Sequence, residues 1–229
     1  MEETMRATLL RSPANSAAFV IGLGLIAFQI WLLFEPQQPL MERPVHLTAA
    51  LVLLFIYKPL TAQAIPRWLR IGIDTVLILG AVAVLIYYLT GFERLTTRME
   101  NVSPIFNIDI AFGALLVFLL LEGSRRAVGW VLVWVLLAFI AYAFWGNVFP
   151  GWLNFRGFGV EAATEITTMT TAGVLGITTS TSVSFVFYFI LFGAFYSAVG
   201  GGSSSSTSPS APRAAPPAEP RRRRSSGRR

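Results

Sequence analysis

Apolar residues in this chain fall in long unbroken runs separated by short polar gaps, not in the alternating or 3.6-residue patterns of half-buried elements. A bilayer core takes about 20 mostly apolar residues per helix. Six runs meet that length, at roughly 16–34, 45–63, 71–90, 105–122, 127–146 and 181–199. The pattern predicts an all-α, polytopic membrane protein of six transmembrane helices. The second run is interrupted by Lys58 and Pro59; a lysine near a helix end can carry its charge to the interface, so the span is retained. The first run is too long for a signal-peptide core, and its leader balances Arg6 and Arg11 against Glu2 and Glu3.

The gaps set an expected orientation. With the N-terminus cytoplasmic, Arg6, Arg11, Lys58, Arg67, Arg70, Arg125 and Arg126 lie inside, and Arg43, Arg94, Arg98 and Arg156 outside. Positive charge concentrates on the cytoplasmic side. Trp31, Tyr87, Tyr88, Trp130, Trp145 and Trp152 fall near span ends, where interfacial aromatics belong. Residues 91–104 read as an ordinary charged connector. Residues 157–184, "GFGVEAATEITTMTTAGVLGITTSTSVS", are too polar to span and too poor in charge for a free loop. Ile166, Met169 and Gly173 recur at helical spacing, which fits an interfacial helix followed by a glycine break. Two readings stand open here: a packed loop, or irregular backbone lining a polar cavity.

Composition agrees with a membrane chain. Of 229 residues 54% are hydrophobic and only 13% charged, where a soluble domain carries about 25%; mean hydropathy is +0.62. The net charge of +6 resides wholly in residues 203–229, which hold seven Arg and one Glu, whereas residues 1–202 are neutral. No cysteine is present and His46 is the single histidine, so disulfides, thiolate sites and histidine metal clusters are excluded. No nucleophile–base set, phosphate loop or metal-ligand spacing occurs, and neither an enzyme nor a cofactor is expected.

A few polar groups remain to be explained. Arg70 and Asp74 stand four apart on one helix face, predicting an ion pair that anchors the helix end, with an ion-coupling carboxylate as the alternative. Asp109 lies a turn into the fourth span with no basic residue within a turn, and is the stronger candidate for an ion path. Glu122 can reach Arg125 and Arg126 at i+3 and i+4, forming a self-paired interfacial cluster. His46, beside Arg43, reads as an interfacial hydrogen-bonding residue.

Three stretches, "RPVHLTAALVLLFIYKP", "DIAFGALLVFLLLEGSRRAVGW" and "GVLGITTSTSVSFVFYFILFGAF", with "GNVFPG" between the last two, carry a resemblance. Together, over roughly residues 40–202, they resemble the fused permeases of tripartite ATP-independent periplasmic (TRAP) transporters. The matching positions include Arg43, His46, Asp74, Asp109, Gly113, Glu122, Arg125, Arg126, Pro150, Gly173, Gly176 and Gly193; Ala172 and Thr178 depart, standing where members often show Glu and Pro. The resemblance implies a sodium-coupled secondary transporter of the bacterial inner membrane. It would receive organic anions such as carboxylates from a periplasmic solute-binding protein, of which the TAXI type is one. It further implies a small-subunit-like four-helix region over 1–126 and the start of a large-subunit-like region over 127–202. The family's binding residues lie mostly beyond the resembling part; Thr179, Ser182 and Ser184 are candidates for an ion or substrate path by polarity alone.

The tail, 203–229, has its own expectation. Family members continue past this point with a segment like Gly-Gln-Phe-Phe-Ile-Asp-Leu-Ala-Phe. In GC-rich codons, loss of one nucleotide after the first Gly turns that segment into Gly-Ser-Ser-Ser-Ser-Thr-Ser-Pro-Ser, the sequence of residues 202–210. The tail is therefore expected to be an out-of-frame translation, and no nucleic-acid partner is inferred from its charge. The rival is a disordered basic tail, which would make the chain a membrane scaffold or assembly protein with a cytoplasmic segment for anionic lipid or RNA.

Overall fold

The computed structural model describes residues 13–60 and 66–200, and the tail lies outside them. Among the described residues the protein is helical with no strand, and six helices are long and apolar enough to cross a membrane. It is a multi-pass membrane protein. The helices are α1 (Pro13–Phe34), α2 (Pro39–Tyr57), α3 (Arg67–Thr90), the short α4 (Phe92–Thr97), α5 (Asn107–Ala127) and α6 (Trp130–Trp145). After two 3₁₀ turns come α7 (Val160–Thr164), α8 (Ile177–Thr181) and α9 (Phe187–Ala198), with α7 and α8 each running into one wide π-helical turn.

The second span differs most from its apolar run. It begins at Pro39 and stops at Tyr57, several residues earlier than hydropathy alone predicts. Proline is accepted in a first turn, where its missing N–H has no helical partner. Lys58 precedes Pro59, and the residue before a proline is pushed out of the helical region. The polar stretch Glu42–Arg43 is thus inside the helix, and Lys58 is beyond it. α3 and α5 extend past their runs to include Arg67 and Arg126. Gly129, at φ 113°, makes the turn between α5 and α6 in a conformation that a side chain resists.

The first of two compact units runs to Tyr188 and contains the core. α2 packs against α1, α3 and α5. Its Leu51, Val52 and Phe55 meet Leu77, Ala81 and Val84 of α3 and Leu116 and Leu119 of α5, with Met169 and Leu175 in the same buried cluster. Apolar association gains little between helices already in lipid, so close packing and polar contacts hold such a bundle. Small residues allow the approach: Ala81 is fully buried, and a Cβ on Gly123 would stand 3.0 Å from a Leu51 methyl. α6 buries only Val133 among its residues. Of the second unit, from Phe189, the described part is the remainder of α9, whose side chains are unburied.

Candidate functional site

Charged groups gather at the two ends of α5, which stand about 30 Å apart at 1.5 Å per residue. At its start, the connector end, Asp109 lies in the first turn and its side chain is fully buried. It accepts hydrogen bonds from Tyr87 Oη (2.6 Å), Arg94 Nη1 (2.9 Å), Arg94 Nη2 (2.6 Å) and the backbone N–H of Phe106 (3.0 Å). α4 exists to deliver Arg94, whose guanidinium also lies over the rings of Phe106 and Tyr87. The Asp109 carboxylate raises the proton affinity of Arg94 above arginine's ordinary range. Asp109, expected to lack a basic partner, is therefore the buried half of a bidentate ion pair whose guanidinium is part-exposed, and its acceptor positions are taken up by the fold.

Beside it, the connector grips α7. Arg98 Nη2 pairs with Glu165 Oε1 at 3.1 Å, with both side chains nine-tenths buried. The Asn101 N–H donates to the same carboxylate at 3.0 Å, and Asn101 holds φ 60°, a left-handed state that asparagine tolerates. Tyr88 Oη donates to the Thr168 carbonyl, at 2.5 Å. Residues 91–104, read from sequence as an ordinary connector, thus form a clamp.

What they clamp is a break in the helical path. After Met169 the backbone leaves the helix, turns through Thr170–Gly176 and re-enters at Ile177. Val174 N–H bonds back to the Thr167 carbonyl and Gly176 N–H to that of Gly173, both at 2.8 Å. A Cβ on Gly173 would collide with the carbonyls of Ile166 and Thr167, and one on Gly176 would sit 2.7 Å from the Gly173 carbonyl. These two glycines are required by close approach of backbone to backbone. On the far side Arg43 Nη1 holds the Leu175 carbonyl at 2.6 Å. The expected helix followed by a glycine break is present, docked on α5 where Thr164 and Thr168 approach Gly113.

The sequence-predicted path residues do not converge. Thr179 closes the break by donating to the Val174 carbonyl (2.5 Å). Ser182 hydrogen-bonds His46 Nε2 at 3.2 Å, and Ser184 is exposed one position beyond the buried Val183. None of the three shares a contact with Asp109. Sequence reasoning missed the chain of polar groups behind Ser182. His46 Nδ1 is 2.7 Å from Gln29 Nε2, and Tyr188 Oη donates to the Gln29 carbonyl at 2.7 Å. Gln29, fully buried within an apolar run, was the available signal. His46 is buried within the bundle. Because an amide N–H can only donate, His46 accepts at Nδ1 and donates from Nε2 to Ser182.

At the other end of α5, the basic end, Glu122 takes Arg125 Nη2 at 2.6 Å and Arg126 Nε at 2.7 Å, as the spacing predicts. The predicted Arg70–Asp74 pair does not form. Arg126 Nη1 takes Asp74 Oδ1 at 2.6 Å, and the Leu60 N–H takes Oδ2 at 3.1 Å. Lys58 Nζ reaches the Ala127 carbonyl at 3.2 Å, tying the end of α2 to that of α5.

A cavity of about 390 Å³ opens between α5, α6 and α7, lined by Val117, Phe144, Thr164 and Thr167 among others. It carries no charged group and is not suited to an organic anion. Among the described residues no cluster of three acidic or histidine side chains could hold a metal ion. Comparison of the chain with family models, curated proteins and solved structures finds no match.

Proposed function

We propose that the chain is the N-terminal part of a TRAP-type fused permease, a membrane component for sodium-coupled uptake of organic anions such as carboxylates. Its partner in that reading is a periplasmic binding protein, such as one of the TAXI type, which docks at the connector end. The N-terminus and the basic end then face the cytoplasm. The observation that carries this reading is the clamped break between α7 and α8. Irregular backbone at membrane depth is tolerated only where protein or a water-filled path satisfies it, and interrupted helices are the elements from which secondary transporters build substrate and ion sites. The resemblance over residues 40–202 supplies the transporter class and the substrate class.

The chain alone is expected to give no sodium-dependent uptake in liposomes, because one interrupted segment lacks the paired counterpart of an inverted repeat. The test supplies the missing part. The chain is co-expressed with the large-subunit remainder of a fused permease and a TAXI-type binding protein in a carboxylate-uptake-deficient bacterium. Sodium-dependent uptake that requires the chain is expected; stable insertion without uptake would overturn the proposal. Orientation is checked separately with Thr96→Cys in this cysteine-free chain. Labelling is expected from the periplasmic side, and labelling only from the cytoplasm reverses the assignment.

A further inference from the structure

We propose that Arg70 and Arg126, at the basic end, form a binding site for the phosphate of an anionic glycerophospholipid, with phosphatidylglycerol as its simplest form. The starting observation is a diverted partner. Asp74 stands one turn from Arg70, yet Arg126 and the Leu60 N–H occupy both of its oxygens. Arg70 is left without a carboxylate, and its Nε is shielded from solvent with no acceptor among the described residues. Arg126 is held by Asp74 and Glu122 with its side chain only 4% exposed, and its Nη2 is likewise shielded and unpaired. Shielded guanidinium N–H groups without an acceptor are uncommon; three occur among the described residues, at Arg43, Arg70 and Arg126, and each is completed by a water, an ion or a ligand.

The surroundings select the occupant. The helix ends that meet here carry Lys58, Arg67, Arg70, Arg125 and Arg126 with Asp74 and Glu122, an excess of three positive charges. Both carboxylates are already bonded to arginine, so an incoming anion meets an unopposed positive field. Next to Arg70 the helix turns outward with Trp68, Leu69 and Ile71, all exposed and apolar, and Trp130 is exposed beneath Arg125. Indole rings mark the headgroup level of a bilayer. An occupant must therefore bring an anionic head to two guanidinium groups and apolar chains to the lipid face beside them. Arg70 is only partly buried and can turn its fork onto a phosphate at that level, while Arg126 stays with its carboxylates. Guanidinium is suited to the task because it presents paired N–H groups to phosphate oxygens.

The experiment reconstitutes the purified chain in phosphatidylcholine vesicles with and without phosphatidylglycerol and follows thermal unfolding and lipid retention by native mass spectrometry. Phosphatidylglycerol is expected to raise the unfolding midpoint. Arg70→Gln is expected to abolish that rise and weaken retention about tenfold, as loss of a charge-assisted hydrogen bond does. Arg67→Gln is expected to keep the rise, and Arg70→Lys most of it. Since the Arg70 side chain makes no hydrogen bond or ion pair among the described residues, Arg70→Gln in phosphatidylcholine should unfold at the parent midpoint; an intrinsic drop there would overturn the assignment of Arg70 as a ligand-directed group. A rise that survives Arg70→Gln overturns the site, including one carried by the tail arginines, which both chains share. Inorganic phosphate added to phosphatidylcholine vesicles is expected to do nothing; if it reproduces the rise, the ligand is soluble phosphate and the lipid assignment fails.

Discussion

The two ends of α5 both carry arginine–carboxylate clusters, but they are assembled from different distances along the chain. At the basic end Glu122, Arg125 and Arg126 are neighbours on one helix, at i+3 and i+4, and only Asp74 arrives from elsewhere. At the connector end the shortest ion pairs are long-range. Asp109 takes Arg94 from another helix, Glu165 takes Arg98 and the Asn101 N–H across the break, and Arg43 takes a carbonyl 132 residues away. Burial does not follow the same division: Asp109, Arg98 and Glu165 are closed off but Arg94 is 38% exposed, and at the basic end Arg126 is 4% exposed while Arg125 is a quarter exposed. The Glu122–Arg125–Arg126 set can form as soon as α5 does, with Asp74 and Lys58 joining when α3 and α2 pack, whereas the ion pairs of the connector end form only when α4 and α7 dock. A helix broken at Thr170–Gly176 leaves backbone groups that no local structure satisfies, and the long-range pairs hold that break in place.

The comparison makes ordered predictions. Asp109→Ala is expected to cost most, about 3–4 kcal/mol, because it strands the buried Tyr87 hydroxyl and the Phe106 N–H without an acceptor, while the part-exposed Arg94 turns to solvent. Denaturant unfolding in mild detergent measures it, and a loss no larger than that of an exposed pair would erase the distinction between the ends. Arg98→Ala is next, at about 3 kcal/mol, since it leaves Glu165 buried and unpaired. Its distinguishing sign is local: amide exchange over 165–176 should rise while that of α2 and α3 stays slow. Uniform acceleration would mean that Arg98 supports the whole bundle and not the break. Gly176→Ala forces a Cβ against three carbonyl oxygens of residues 171–173, and overpacking of this kind costs about 1–3 kcal/mol. If it unfolds at the parent midpoint, the break is softer than its hydrogen bonds imply. Arg125→Ala closes the series at about 0.5 kcal/mol, the scale of a part-exposed helix pair, reduced further by salt. A larger cost there would show that the basic end is also a tertiary clamp.

Legibility in the sequence follows the same line. Glu122 with Arg125 and Arg126 was readable because helix geometry alone brings i+3 and i+4 together. The identical rule failed for Arg70 and Asp74, because Arg126 competes for the same carboxylate across the α3–α5 contact, and spacing contains no information about that contact. Asp109 was conspicuous as an acid in an apolar span, but its partner sits across a turn and a short helix that no periodicity announced. Glu165 was hidden in a threonine-rich stretch whose excess polarity was the available clue. His46 was legible as a hydrogen-bonding residue, but its partners Gln29 and Ser182 stand on other helices, 17 and 136 residues away, where spacing contains no information.

By itself the sequence determined the membrane class, six spans and their approximate places, since bilayer thickness acts on each run separately and needs no partner. It also determined where the helical path must break, through glycines and hydroxyl residues that suit neither lipid nor water. Only the tertiary structure decided which carboxylate each arginine takes, which polar side chains are satisfied and which guanidinium groups are left over. Those outcomes turn on separations of a few ångströms among groups of the same kind. At that range Coulomb and hydrogen-bond energies change steeply with distance, and only the packing of the helices sets the distances.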